Sequence, residues 1–127
     1  MGLSDNSLIL KNDGTLWGTG DNQYGQLGLG DTTNRTTFTK ITTNVNDIKE
    51  IYCGVAHTFI LENDGTLWGC GHNQYGNLGL GNTTNRTTFT QIITNTDDIK
   101  EIYCGWNYTL ILENDGTLWG CGGNYYG

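Results

Sequence analysis

Apolar residues come in short bursts along this chain, separated by Gly, Asn and Thr. Over 47–54, DIKEIYCG is apolar at Ile48, Ile51 and Cys53, with Tyr52 beside them, which predicts a short strand A. Gly54 to Ala56 makes a tight link. HTFILEN (57–63) is apolar almost throughout and predicts a strand B buried on both faces. Asn63-Asp64-Gly65 signals a hairpin, with Asp-Gly read as the positive-φ pair of a two-residue turn. TLWGCG (66–71) predicts strand C on Leu67 and Trp68, and HNQYGNLGLGNTTN (72–85) a long Gly/Asn loop. RTTFTQIIT (86–94) predicts strand D, with Phe89, Ile92 and Ile93 as its apolar positions, and Asn95 to Asp97 turns the chain into the next strand A. No segment keeps a 3.6-residue period over ten or more positions.

This four-strand pattern repeats. NDGTLWG occurs at 12–18, 63–69 and 114–120, a period of 51 residues both times. Residues 12–54 match 63–105 at 35 of 43 positions without a gap, and 7–25 match 109–127 at 14 of 19. The chain thus carries a partial unit over 7–46, a complete repeat over 47–97 and a second partial unit over 98–127. Four antiparallel strands in about 50 residues is the content of one propeller blade. A β-helix has a shorter period, and a sandwich domain is larger than one such unit. The expected fold is all-β: propeller blades in an incomplete ring, or a ring completed by oligomerisation. By this strand order the first blade lacks strand A and the last lacks strand D.

Composition agrees with this reading and narrows the chemistry. The 127 residues include 20 Gly and no Pro, and 15% are charged against a usual ~25%. Lys and Arg number 6 against 13 Asp and Glu, a net charge of −7, which disfavours nucleic acid and anionic membranes as partners. No window approaches the apolar length of a membrane-spanning helix. The opening MGLSDNSLILKNDG has no basic or apolar signal segment, so the cytoplasm is the default compartment.

HTFILENDGTLWGCGHNQYGNLGLG, with CG before it, resembles the repeat of the regulator of chromosome condensation family over essentially the whole of 7–127. The resemblance implies seven-bladed propellers. This chain departs from it in two ways. Family repeats often carry Pro in the fourth strand, where Phe38 and Phe89 stand here, and the ring needs about seven units where this chain has about two and a half. Neither two nor three copies close such a ring cleanly, because each carries a redundant hairpin. Open blade edges invite pairing with another chain, so homo-oligomerisation is expected as one route to closure.

The residues that could carry chemistry read mostly as structure. Asp13, Asp64 and Asp115 sit in hairpin turns and lack the spacing of a calcium loop. Cys53, Cys70, Cys104 and Cys121 form no C-x-x-C, and the first copy has Thr19 at the Cys70 position, so they are expected to be small, buried, unpaired thiols. His57 and His72 are replaced by Tyr108 and Gly123 in the next repeat, and no nucleophile accompanies them. LGLG at 27–30 and 78–81 lacks the Lys-Ser/Thr ending of a phosphate loop, so its glycines are read as permitting close packing. Arg35 and Arg86 are equivalent positions, read as structural hydrogen-bond donors. No catalytic residue, metal ligand or cofactor is expected.

Departures from the repeat are better candidates for function. Val55-Ala56-His57 becomes Trp106-Asn107-Tyr108, and Gln74 becomes Tyr125 beside Tyr126, itself the counterpart of Tyr24 and Tyr75. The A–B link and the C–D loop should emerge on one rim, and Asp-Gly turns on the other. Trp106, Asn107, Tyr108, Tyr125 and Tyr126 are therefore candidate partner-binding residues. Packing against a neighbouring blade would equally account for these aromatics. The expected function is a non-enzymatic protein-interaction scaffold, as part of a longer propeller or as a self-assembling unit. The resemblance also implies two alternatives, nucleotide exchange on a small GTPase and a secreted enzyme inhibitor. A truncated or designed repeat without an evolved function is a further alternative.

Overall fold

The computed structural model describes residues 5–94 and 98–127, so the turn expected at Asn95 to Asp97 lies outside the described residues. Ten strands run in order: β1 (Asn6–Leu10), β2 (Leu16–Gly20), β3 (Arg35–Ile41), β4 (Ile48–Cys53), β5 (His57–Glu62), β6 (Leu67–Gly71), β7 (Arg86–Ile92), β8 (Ile99–Cys104), β9 (Tyr108–Glu113) and β10 (Leu118–Gly122). They form three antiparallel sheets, ordered β1-β2-β3, β4-β5-β6-β7 and β10-β9-β8. The middle blade thus has strands A to D, the first has B to D, and the last has A to C. The register repeats with the sequence: Leu16 faces Ile41 across β2 and β3, as Leu67 faces Ile92 across β6 and β7.

The core lies between blades. Successive side chains of a strand point to opposite faces. On β5, Ile60 joins Leu16 and Ile41 of the first blade, whereas Phe59 and Leu61 join Ile99 and Ile102 of the last. One strand therefore supplies both joints, which is why HTFIL is apolar without alternation. Phe59, Ile60 and Leu61 are at most 2% exposed, and each contributes about 1.5–3 kcal/mol by burial. Strand B is buried on both faces only in this middle blade. Its counterparts β1 and β9 have one covered face and are partly exposed.

Three sequence expectations need correction. The Asp-Gly hairpin has three loop residues. The Gly65 amide donates to the Glu62 carbonyl at 3.0 Å and the Glu62 amide to the Thr66 carbonyl at 2.9 Å. Gly65 alone takes a positive φ, 92°, and Asp64 caps the turn by accepting the Thr66 amide at 2.9 Å. Ile93 lies past the end of β7 and is 90% exposed, so it is no core position. The four cysteines are free thiols, but only Cys70 is buried; Cys104 and Cys121 are intermediate and Cys53 is exposed. The partial cover of Cys104 comes from the neighbouring blade, where a Cβ added at Gly54 would stand 2.7 Å from the Cys104 Cβ.

Candidate functional site

The C–D loop is organised by a buried asparagine. Asn73 is fully buried, and its side-chain oxygen accepts the Leu78 amide at 2.9 Å. Its amide group donates to the carbonyls of Asn82 at 3.1 Å and Thr84 at 3.0 Å. Asn22 does the same in the first blade, reaching Leu27, Asp31 and Thr33. One side chain thus replaces a strand ladder in holding a 14-residue loop compact. The loop needs its glycines: Gly28 has φ 70°, and a Cβ there would meet the Phe89 ring at 2.4 Å. Close packing is therefore the role of Gly28, whereas at Gly81 a Cβ would meet nothing within 4 Å and the glycine serves its positive φ of 79°. Arg35 pairs with Asp31 at 2.7 Å, and Arg86 reaches the oxygen of Asn82 at 3.4 Å, so both arginines brace the loop. The Arg35 guanidinium holds the Asp31 carboxyl below its usual range.

The loop then docks on the next blade. The Thr58 hydroxyl donates to the Gln26 carbonyl at 2.8 Å, and the Thr109 hydroxyl to the Asn77 carbonyl at 2.7 Å. Cys70 and Cys121 reach the same two carbonyls at 3.4 and 3.6 Å. Histidine completes the second joint. His57 Nε2 lies 3.0 Å from the Thr109 hydroxyl oxygen, whose own hydrogen is committed to Asn77. Nε2 therefore carries the proton and donates. Burial, with a smaller effect of His72, lowers the His57 pKa to about 4, so this imidazole is neutral at neutral pH. Burial also raises all four cysteine thiols, Cys104 to about 12. None is poised as a thiolate nucleophile. Among the described residues, no group of three or more His, Cys, Asp or Glu side chains is gathered to hold a metal ion.

Aromatic rings run along one rim. Tyr24 meets His72 edge-on at 4.9 Å between centroids, His72 lies 5.8 Å from Tyr75, and Tyr75 meets Tyr125 edge-on at 5.7 Å. The file crosses all three blades. A hydrogen bond with Tyr75 holds the Tyr125 phenol above its ordinary pKa. The last A–B link lies against the same rim: the Gly123 amide donates to the Asn107 carbonyl at 2.8 Å.

The five predicted residues are distributed over this rim as follows. Asn107, Tyr108, Tyr125 and Tyr126 line one open cleft of about 860 Å³, whose lining does not include Trp106. Trp106 is 62% exposed and Tyr125 69%. Tyr108 and Tyr126 hold positions that the following blade covers elsewhere. His57, the counterpart of Tyr108, is fully buried, and Tyr24, the counterpart of Tyr126, packs on His72. Asn22, Asn73 and the Thr58 and Thr109 hydroxyls escaped the sequence reading. The recurring G-x-N could have pointed to the asparagines, since an invariant polar residue beside glycines implies a fixed hydrogen-bonding duty.

Residues 13–61 and 64–112 match the family model described as Regulator of chromosome condensation (RCC1) repeat, and a second model of that description matches 48–77 and 99–127. The chain is 36% identical over 122 residues to the Ultraviolet-B receptor UVR8 of Arabidopsis thaliana, covering 94% of this chain and 28% of that protein. It is 35% identical over 115 residues to the Secretion-regulating guanine nucleotide exchange factor of Bos taurus, covering 88% and 25%. Among solved structures, yeast RCC1 (Prp20) bound to Kap60 superposes with a TM-score of 0.79 at 27% identity, covering 93% of this chain and 28% of that one. The chain therefore spans about a quarter of the length of the relatives it matches.

Proposed function

Because the chain belongs to the regulator of chromosome condensation repeat family, we propose that it is a non-enzymatic scaffold that binds a protein partner through its aromatic rim. The observation that carries this reading is the exposure of Trp106 and Tyr125, at two of the places where the third copy departs from the second. Residues that only maintain a blade recur; these do not. Trp and Tyr offer large, rigid contact area at little entropic cost and dominate interface energetics. With a net charge of −7, the rim suits a partner whose arginines or lysines stack on these rings. Tyr108 and Tyr126 serve blade stacking in this reading, and Trp106 and Tyr125 form the recognition surface, with the recurring Tyr75 packed edge-on against Tyr125. His57 and the cysteines take no catalytic role in this reading: His57 is buried as a neutral imidazole, and desolvation raises each thiol above its ordinary range.

The test compares proteins captured from a lysate by the native chain and by a Trp106→Ala/Tyr125→Ala variant. A partner retained by the native chain and lost from the variant is expected. Identical captures would remove the rim from recognition.

A second reading is nucleotide exchange on a small GTPase, favoured by the relative named as an exchange factor. GDP release from purified small GTPases discriminates between the two. Unchanged release is expected, and acceleration by the native chain would establish the second reading.

A further inference from the structure

His57 uses only one of its two ring nitrogens. Nε2 donates to the Thr109 hydroxyl oxygen at 3.0 Å, which leaves Nδ1 with a lone pair and no proton. Nδ1 is buried and has no hydrogen-bond partner among the described residues. What stands beside it comes from the next blade. Cys104 faces Thr109 across β8 and β9, so the two side chains leave that sheet on the same side, toward His57. Gly54 shows how closely the groups approach. A Cβ placed there would stand 3.2 Å from His57 Nδ1 and 2.7 Å from the Cys104 Cβ. Both atoms thus lie close to one point, and the thiol sulfur is one bond beyond that Cβ. Metal–sulfur and metal–nitrogen bonds are each about 2 Å, so two donors on opposite sides of one ion stand about 4 Å apart, a span that this arrangement allows.

We propose that His57 Nδ1 and Cys104 Sγ form a two-coordinate site for a soft monovalent metal ion, Cu(I) or Ag(I), in the joint between the second and third blades. The donor set selects the class of ion. A thiolate favours soft metals and imidazole suits copper, whereas two donors do not complete the tetrahedron that zinc takes. Charge points the same way. Binding displaces the thiol proton to solvent, so the single positive charge of the ion meets the single negative charge of the thiolate and no net charge is buried. Thr109 is a positioning residue: its own hydrogen goes to the Asn77 carbonyl, its oxygen accepts Nε2–H, and the lone pair is thereby fixed on Nδ1. The other joint lacks the pair, because Asn6 stands at the histidine position beside Cys53, and the third copy has Tyr108 there. Cys121 also faces Thr109, but its thiol is directed to the Asn77 carbonyl at 3.6 Å. Cys104 is only partly covered, which leaves the ion a way in.

The experiment titrates the reduced 127-residue chain with Cu(I), without oxygen and against a chromogenic Cu(I) chelator, in a Cys53→Ser background that removes the exposed thiol. One ion held per chain is expected, and X-ray absorption at the copper edge should give one sulfur and one nitrogen neighbour. His57→Asn, which borrows the residue at the equivalent Asn6, and Cys104→Ser should each weaken binding by about tenfold or more, with folds checked by circular dichroism. The ion should also raise the unfolding midpoint of the parent chain and of neither variant, because it binds the folded joint. The absorption spectrum reads the ligands of the parent chain directly and does not depend on how well a variant folds. Copper bound through sulfur alone, equal retention by the His57→Asn chain, or complete loss of copper to the chelator overturns the proposal.

Discussion

His57 shows how a residue present in a single copy can help hold the joint between two repeats. Its Nε2–H donates to Thr109, its pKa falls from 6.5 to about 4, and burial is the principal cause. The unfolded chain holds this proton more readily than the folded one. Its contribution is therefore complete above about pH 6.5, declines as pH falls toward 4 and levels off below. A shift of this size corresponds to a loss on the order of 3 kcal/mol across that window. Urea unfolding at pH 7.5 and 4.5 should show it, and His57→Asn, which borrows the residue at the equivalent Asn6, should remove most of the slope. An unchanged slope would place the pH sensitivity in the carboxylates. Thr109→Val tests the same joint at neutral pH. It strands the His57 donor and leaves the Asn77 carbonyl with only the weak Cys121 thiol at 3.6 Å, so a loss of about 2–4 kcal/mol is expected from urea midpoints. The sequence pattern could not show this. It presents HT as adjacent residues of one strand, whereas the hydrogen bond joins the histidine of one repeat to the threonine of the next.

At the scale of the element, strands were easier to read than the loop that joins them. β5 and β6 begin and end within a residue of the strands expected from HTFILEN and TLWGCG. Binary patterning and Gly-rich punctuation act locally, and both are visible in one repeat. The type of hairpin turn was not legible, because Asp-Gly suits a two-residue turn as well as the three-residue loop that forms. Nor was the organisation of residues 72–85, where order comes from one buried side chain bonded to main chain up to 11 residues away. Asn73→Ala should therefore affect the loop beyond its own position. The Leu78 amide and the carbonyls of Asn82 and Thr84 lose a buried partner, at a cost of about 3 kcal/mol or more. Hydrogen exchange should show the Leu78 amide unprotected while β5 amides stay slow. Continued protection at Leu78 would mean that the loop is held by its glycine turns alone. The candidate rim was legible only as a location. Broken symmetry singled out Trp106, Asn107, Tyr108, Tyr125 and Tyr126, but the separation of exposed anchors from stacking residues depends on which blade covers which, and that relation lies between repeats.

For the whole molecule, the decisive fact is that blades stabilise one another across joints. Repeat proteins approximate a row of units with modest intrinsic stability and strong nearest-neighbour coupling. Here the middle blade has two joints and each outer blade has one. The burial patterns follow: β5 is buried along nearly its whole length, whereas β1 and β10 are largely exposed or half-buried. Nearly identical sequences should therefore differ in protection. Leu61 and Leu112 occupy the same repeat position, yet Leu61 is 2% exposed and Leu112 only partly buried. Native-state hydrogen exchange should rank β5 and β6 slowest, with β1, β9 and β10 opening at free energies lower by about 2 kcal/mol or more, the worth of one or two large side chains left half-covered. Equal protection in all three sheets would mean that the chain unfolds as a single cooperative unit, with the joints as strong as the sheets. The predicted gradient would instead locate stability in the joints, where each large side chain is covered by the neighbouring blade.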